Sequence, residues 1–299
     1  MVRGIYTGAS AMAARVHEMN VVANNLANVN TNGFKRDLTL FKAFPEMVVR
    51  RQNDDGVIIL PGLGSYDKRP TVGKLGTGVE VSEVFNRKEQ GNLKQTESSF
   101  DFALQGDGYF SVDTGKGIRY TRNGAFTLND KSELVTLEGY KVLGEKGPIT
   151  IKTNNFIISD QGEIFVNPDL NRPPQRPVQA IENGFENADY IDRLSIVDFE
   201  KPRFLVKEGS SFYRSNEISG EAQPARSLVR TDIDGRIMEK NPTPLKVLQG
   251  FLEASNVNPV QEMVKMIEVQ RAYEASQKSI TSSDEMADRL INNMARFSA

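Results

Sequence analysis

The hydrophobic periodicity of this chain predicts an α+β fold. A helical coiled-coil domain, discontinuous in sequence, is built from the two chain ends, and an antiparallel all-β domain is inserted between them. Three observations carry that prediction. From Ile5 the apolar positions run Ile5, Ala9, Met12, Val16, Met19, Ala23 and Leu26, in alternating steps of four and three, the spacing of a helix packed lengthwise on another helix. From Val79 to Val166 apolar residues alternate with polar ones, the period of strands. After Asn258 a helical pattern returns and runs to the end of the chain.

The first helix falls within residues 1–34, about 39 Å long if roughly 26 residues are helical. Its stripe gives way to a polar tail, Asn28-Val29-Asn30-Thr31-Asn32-Gly33-Phe34, in which Gly33 reads as the residue past the helix end, where a left-handed backbone is easiest. Asn24 and Asn28 share a helix face. They form either a solvated polar strip or amide ladders that fix register between neighbouring helices. Residues 35–78 read as an extended connector. Phe34, Phe41, Phe44 and Met47 make a short apolar group, and Pro61-Gly62, Gly64, Pro70, Gly73, Gly76 and Gly78 punctuate loops and short strands. These glycines do not sit between a strand and a helix, so a phosphate cradle is a poor reading.

The β-rich domain spans 79–250. Its alternating pairs are Val79/Val81, Phe110/Val112, Ile118/Tyr120, Phe126/Leu128, Tyr140/Val142, Ile149/Ile151, Phe156/Ile158 and Ile164/Val166. Turn signals separate them at Gly115-Lys116-Gly117, Asn123-Gly124, Asn129-Asp130, Glu138-Gly139, Gly147-Pro148 and Asp160-Gln161-Gly162. Strands this short and this closely spaced make an antiparallel sandwich or irregular barrel. A proline-rich link, 167–178, interrupts them. Strand-like pieces resume at Leu194–Phe199, Phe204–Val206 and Phe212–Tyr213, and Asp234-Gly235 reads as a turn.

The last helix, within 251–299, has an explicit start. Asn258 can cap it, Pro259 suits its first turn, and Gln261 lies three past the cap. One heptad position is wholly apolar (Met266, Tyr273, Ile280, Ala287, Met294) and its partner position is mixed (Met263, Gln270, Gln277, Asp284, Ile291). About 36 helical residues would span about 54 Å, more than one small core covers. Stripes that outrun the chain's own core leave apolar surface for other copies, and such heterologous contacts propagate as filaments when the rotation does not close. The candidate assembly interface is therefore Ile5, Met12, Val16, Met19, Ala23, Asn24, Asn25, Leu26 and Asn28 at one end, with Met263, Met266, Tyr273, Ile280, Ala287, Ile291 and Met294 at the other.

Composition narrows the function classes. The 299 residues carry a formal net charge of -2, with 38% apolar and 25% charged residues. That balance suits a folded protein and gives no electrostatic case for nucleic acid or an anionic membrane. No apolar run approaches the ~18 residues of a membrane span, so no membrane insertion is expected. Arg15, His17 and Glu18 interrupt the apolar N-terminal run that a cleaved signal peptide would need, and the helix is expected to stay on the mature protein. With no cysteine, disulfides, thiolate metal sites and cysteine nucleophiles have no basis, and the chain suits passage through an oxidising space unfolded. The single histidine, His17, lies beside the seam with no metal-type residue clustered near it, so no metal, cofactor or catalytic triad is expected. Asp101, Asp107 and Asp113 are the carboxylates that would suggest a glycan-acting enzyme, which needs two such groups about 5–9.5 Å apart. They fall in turn-rich sequence, where acids are ordinarily solvated.

Two terminal stretches carry a resemblance. Ile5-Tyr6-Thr7-Gly8-Ala9-Ser10-Ala11-Met12, followed by Val21-Val22-Ala23-Asn24-Asn25-Leu26-Ala27-Asn28-Val29-Asn30-Thr31-Asn32-Gly33-Phe34-Lys35, is similar to the N-terminal signature of bacterial flagellar rod and hook proteins. Glu253-Ala254-Ser255-Asn256-Val257-Asn258, continuing through Glu262-Met263-Val264 to Gln270-Arg271-Ala272-Tyr273-Glu274, resembles that family's other end. Gly106-Asp107-Gly108-Tyr109-Phe110 and Tyr120-Thr121-Arg122-Asn123-Gly124-Ala125-Phe126 resemble its β domain. The resemblance implies an axial structural protein whose copies stack helically, with the terminal helices innermost and the β domains outward. It implies partners among the other rod and hook proteins, and export through the flagellum's own secretion apparatus without a cleaved signal. It also implies a place in the rod that crosses the periplasm and transmits torque from motor to hook. The Ile5-Tyr6-Thr7 opening and the Phe41-Lys42-Ala43-Phe44-Pro45 segment lean to the proximal-rod FlgF type. Ser255-Asn256-Val257 and Gln270-Arg271-Ala272-Tyr273 are as close to the distal-rod FlgG type.

Overall fold

The computed structural model describes residues 2–44, 46–51, 57–60, 64–67, 71–152, 156–166, 189–209, 211–225 and 245–297. The proline-rich link, Pro61-Gly62, Pro70 and the Asp234-Gly235 turn lie outside the described residues. The architecture is α+β. Helix α1, Val2–Ala27, opens the chain, helix α2, Pro259–Phe297, closes it, and short strands occupy the chain between. Pro259 starts α2 as its fixed φ favours.

The chain forms two compact units. The first comprises 1–24, 37–85 and 260–299, and the second comprises 25–36 and 86–259. The chain therefore passes between the units at 24/25, 36/37, 85/86 and 259/260. The connector 37–85 groups with the helices, and the polar tail of α1 groups with the β body.

In the first unit the connector is a nested ribbon. Strand Asp37–Ala43 pairs with Val79–Asn86, Met47–Arg50 with Thr71–Leu75, and Val57–Leu60 with Gly64–Asp67. Phe44 N donates to the Gly78 carbonyl at 2.9 Å, between the first two of these pairings.

The second unit is organised on a nine-stranded sheet. Its central strand, Tyr109–Asp113, pairs antiparallel with Ile118–Thr121 on one side, and with Lys141–Val142 and Ile196–Asp198 on the other. This strand is buried on both faces, which the period-two rule explains. Phe110 and Val112 enter one core with Phe102, Phe126, Leu134, Ile149, Ile151, Phe156 and Ile164. Tyr109 enters a second with Tyr120, Phe199 and Tyr213. Phe110 meets Phe126 edge-on at 5.3 Å between ring centroids, and Tyr120 meets Phe199 at 4.8 Å.

Local departures have local causes. Asn123-Gly124 reads as a hairpin turn, yet Gly124 has no positive φ. A Cβ there would lie 1.7 Å from the Phe102 carbonyl oxygen, so close backbone approach requires the glycine. Ile149/Ile151 forms no named strand, but both side chains are buried and Ile149 N bonds the Val142 carbonyl. In place of a strand at 204–206, Pro202–Phe204 is a short 3-10 helix, followed by strand Val206–Glu208.

Candidate assembly interface

Within the helical unit, α1 turns a different stripe to α2 than the large apolar residues suggest. One continuous row of buried or half-buried positions is Gly4, Gly8, Ala11, Arg15, Glu18, Val22 and Asn25, again in steps of four and three but one residue back from the Ile5 row, and Ala14 is buried beside it. A Cβ on Gly8 would come within 2.6 Å of Ile280 Cγ1, and one on Gly4 within 3.2 Å of Ser283 Oγ. Farther along, Lys265 Nζ lies 3.4 Å from Glu18 Oε1, while Arg15 Nη1 is 2.6 Å from Glu18 Oε2. In these contacts the α1 number rises as the α2 number falls, the order of an antiparallel pair. The glycines matter because a missing Cβ lets two helix backbones approach.

The same displacement holds on α2. Met266, Tyr273, Ile280 and Ala287 are half-buried as expected, but the row beside them is Glu262, Val269, Ser276 and Ser283. The expected partner row is exposed in the chain. Met263 is 48% and Ile291 66% accessible, and Gln270, Gln277 and Asp284 are exposed. Along α1, Ile5, Met12, Met19 and Leu26 are half-buried, whereas Val16 and Ala23 are exposed. Met294 belongs to α2. Apolar side chains therefore remain on the outside of α2 in two groups. Val260, Val264 and Ile267 lie in its first turns, and Met286, Leu290 and Ile291 in its last.

Asn24 Nδ2 donates to Asp37 Oδ2 at 3.2 Å, and Asn28, past the helix end at Ala27, accepts from Thr31 Oγ1 at 3.1 Å. Asn25 is buried. Gly33 is in the left-handed region, φ 70°, but six residues beyond the helix, so it is not its cap. A Cβ there would sit 2.5 Å from Arg122 C.

What holds this tail is a buried charged group inside the β unit. Lys35 Nζ lies 2.5 Å from Glu253 Oε1 and donates to the Glu89 carbonyl at 2.8 Å. Gly91 N donates to the same Glu253 Oε1 at 2.8 Å. Arg122 Nη1 lies 3.5 Å from Glu253 Oε2, and Arg122 Nη2 donates to the Gly106 carbonyl at 2.8 Å. Lys35 and Glu253 are each 1% exposed. Burial pushes the Lys35 ammonium below its ordinary range, and Glu253 opposes that shift. The aliphatic seam and the Gly4-to-Gly8 spacing could have pointed to the helix contact. A single lysine in a polar tail carries no signal that it will be buried against a strand more than 200 residues away.

Comparison with known proteins covers the same three regions. The family model for the flagella basal body rod protein matches residues 5–35, the model for the flagellar hook protein FlgE/F/G D1 domain matches 103–166, and the model for the flagellar basal body rod FlgEFG protein C-terminal matches 248–294. The flagellar basal-body rod protein FlgG of Borreliella burgdorferi is 33% identical over 298 residues, 99% of this chain and 100% of that one. The chain belongs to the bacterial flagellar basal-body rod protein family. In Caulobacter vibrioides, FlgG is 31% identical over 95% of this chain and 96% of its own length. FlgF of that organism is 29% identical over 99% and 100%. The family is structural, so the protein is a rod component of the flagellum and not an enzyme. The first and last matched regions of the family are the ones that Lys35 and Glu253 join.

Proposed function

We propose that copies of this chain stack helically through their terminal helices to build part of the flagellar rod, the shaft that carries torque from the motor across the periplasm to the hook. In this reading α1 and α2 pack as a coiled coil and the β body is an insertion carried outside it. The neighbours are further copies of the chain and other rod and hook proteins. The candidate residues then divide by role. Met266, Tyr273, Ile280 and Ala287, with Ile5, Met12, Met19 and Leu26, serve both the chain's own helix packing and its flanks. Val16, Ala23, Met263 and Ile291 face neighbours.

The observation that carries the reading is the apolar surface left on α2. Val260 at 65%, Ile267 at 53% and Ile291 at 66% accessible are large side chains on a helix already packed along its other face. Clustered exposed apolar side chains of this kind, at each end of the helix, mark interaction sites. Delivery by the flagellum's own export apparatus is part of the proposal, and the lack of cysteine supports it, since an unfolded chain without thiols cannot form wrong disulfides.

The test is localisation. Flagellar basal bodies purified from cells making the chain with a small surface tag should carry the label between the motor and the hook in electron micrographs. Label confined to the hook, or absent from the purified structures, would overturn the proposal.

A further inference from the structure

The segments beside three of the chain's four passages between the two units, those at 36/37, 85/86 and 259/260, belong to one hydrogen-bonded patch of the β unit. The tail of α1 enters it, and Gly33 N donates to the Glu253 carbonyl at 2.7 Å. Arg36, the last residue before the ribbon, donates its N–H to Asn256 Oδ1 at 2.7 Å, and its carbonyl accepts from Arg87 N at 2.8 Å as the chain returns. Asn256 Nδ2 donates to the carbonyls of Arg87 and Glu89, at 2.9 and 3.0 Å, just before α2 begins. Three segments, 33–36, 87–91 and 253–256, are thereby tied to one another. Glu253 stands at the centre of the knot, touching the first through Lys35 and the second through Gly91 N.

We propose that Glu253 and Lys35 are positioning residues for assembly: their buried pair locks the three crossing segments into one cooperative clamp that fixes the end of α1 and the start of α2 on the body. The proposal rests on the rod reading for its purpose, but its physical content concerns the unassembled chain. The design follows from elementary electrostatics. A buried carboxylate between two cations is stable only if every partner keeps its place. Displacing 33–36 or 253–256 separates the buried charges, and displacing 87–91 takes a donor from Glu253 and an acceptor from Lys35, so opening any one segment weakens the hold on the other two. A crossing made of independent loops would flex separately, and load applied to the helices would be lost in them.

Hydrogen exchange on the full-length, unassembled chain tests this. The variant is Glu253→Gln, which keeps an acceptor for Gly91 N but leaves Lys35 and Arg122 without their counter-charge. The amides of Gly33, Arg36 and Arg87, none of which bonds the Glu253 side chain, should exchange at least tenfold faster and by a common factor. The sheet amides of Phe126 and Leu134 should remain far slower than these, since they exchange only when the β unit unfolds as a whole. Lys35→Met should reproduce that pattern, and it carries the test if Glu253→Gln does not accumulate. Acceleration confined to Gly91 would overturn the proposal. So would loss of the folded β signal in both variants, since the group would then be part of the core. Sedimentation of the same variants separates the two readings. Wild-type polymer with at least tenfold less polymer in the variants supports both. Failure of the wild type to polymerise sinks the rod reading while leaving the exchange result standing. Variants that open the clamp yet polymerise as well as wild type overturn the assembly role.

Discussion

Two glutamates in this protein sit between two cations each, and they behave as opposites. Glu253 lies in the β unit between Lys35 and Arg122, all three side chains at most 5% exposed. Glu18 lies in the helical unit between Arg15 and Lys265, whose side chains are 40% and 29% exposed. Both carboxylates are therefore buried, but the cations are dry in one place and partly in water in the other. Where water is excluded, the carboxylate needs backbone donors as well as cations, and Gly91 N supplies one. Where water is present, the cations can turn to solvent, and the group tunes helix register without committing the fold to it.

The largest difference should appear on removing each carboxylate. Glu253→Ala leaves two buried cations uncompensated and is expected to cost about 3–5 kcal/mol in denaturant unfolding of the β unit. Glu18→Ala should cost the helical unit about 1 kcal/mol. Equal losses would erase the distinction between dry and wet. Next in size is the seam beside Glu18. Gly8→Leu drives a side chain into Ile280, which already lies 2.6 Å from a bare Cβ, and should cost about 1–3 kcal/mol in helical circular dichroism melts. Raising salt to about 1 M, where the screening length falls to about 3 Å, should abolish most of the Glu18→Ala effect and leave that of Glu253→Ala nearly intact.

A smaller effect is expected with pH. Burial holds the folded Lys35 below its ordinary 10.5, so between the two values the unfolded chain binds more protons than the folded one. That term is a penalty at lower pH and is relieved as pH rises through the folded value towards 10.5. Stability of wild type relative to Lys35→Met should therefore improve over that window, read by urea midpoints. The smallest expected change is Arg15→Ala, about 0.2–1 kcal/mol, since its side chain is 40% exposed and the ion pair is partly screened.

The sequence shows the two regions to very different degrees. α1 and α2 are legible because a 3.6-residue period repeated over many turns is unambiguous, and Pro259 marks a start that tertiary structure had no reason to move. Which face meets which was not legible, since large apolar residues attract attention while the contact belongs to Gly4, Gly8 and Ser283. Met263 and Ile291 are exposed in the chain and stay candidates for contact with neighbours, while the buried or half-buried row beside Met266 and Tyr273 is Glu262, Val269, Ser276 and Ser283. The strands around Phe110, Tyr120 and Phe126 follow their alternation, but Gly124 signals a turn by composition and serves a backbone contact by geometry. The clamp had no local signature. Lys35, Arg122 and Glu253 are ordinary charged residues until long-range pairing brings the first strand-like tail and the last strand together. Nothing in period or propensity encodes that.

Sedimentation of the purified full-length chain over a range of concentrations, wild type beside Ile267→Asp, addresses the account most directly. Ile267 is exposed and outside the chain's own helix contact, so the substitution leaves the fold intact and places a charge on the proposed neighbour-facing stripe. Wild type is expected to form rapidly sedimenting filaments, and the variant to stay monomeric with an unchanged circular dichroism spectrum. A wild type that remains monomeric at every concentration, or a variant that polymerises equally well, would contradict it.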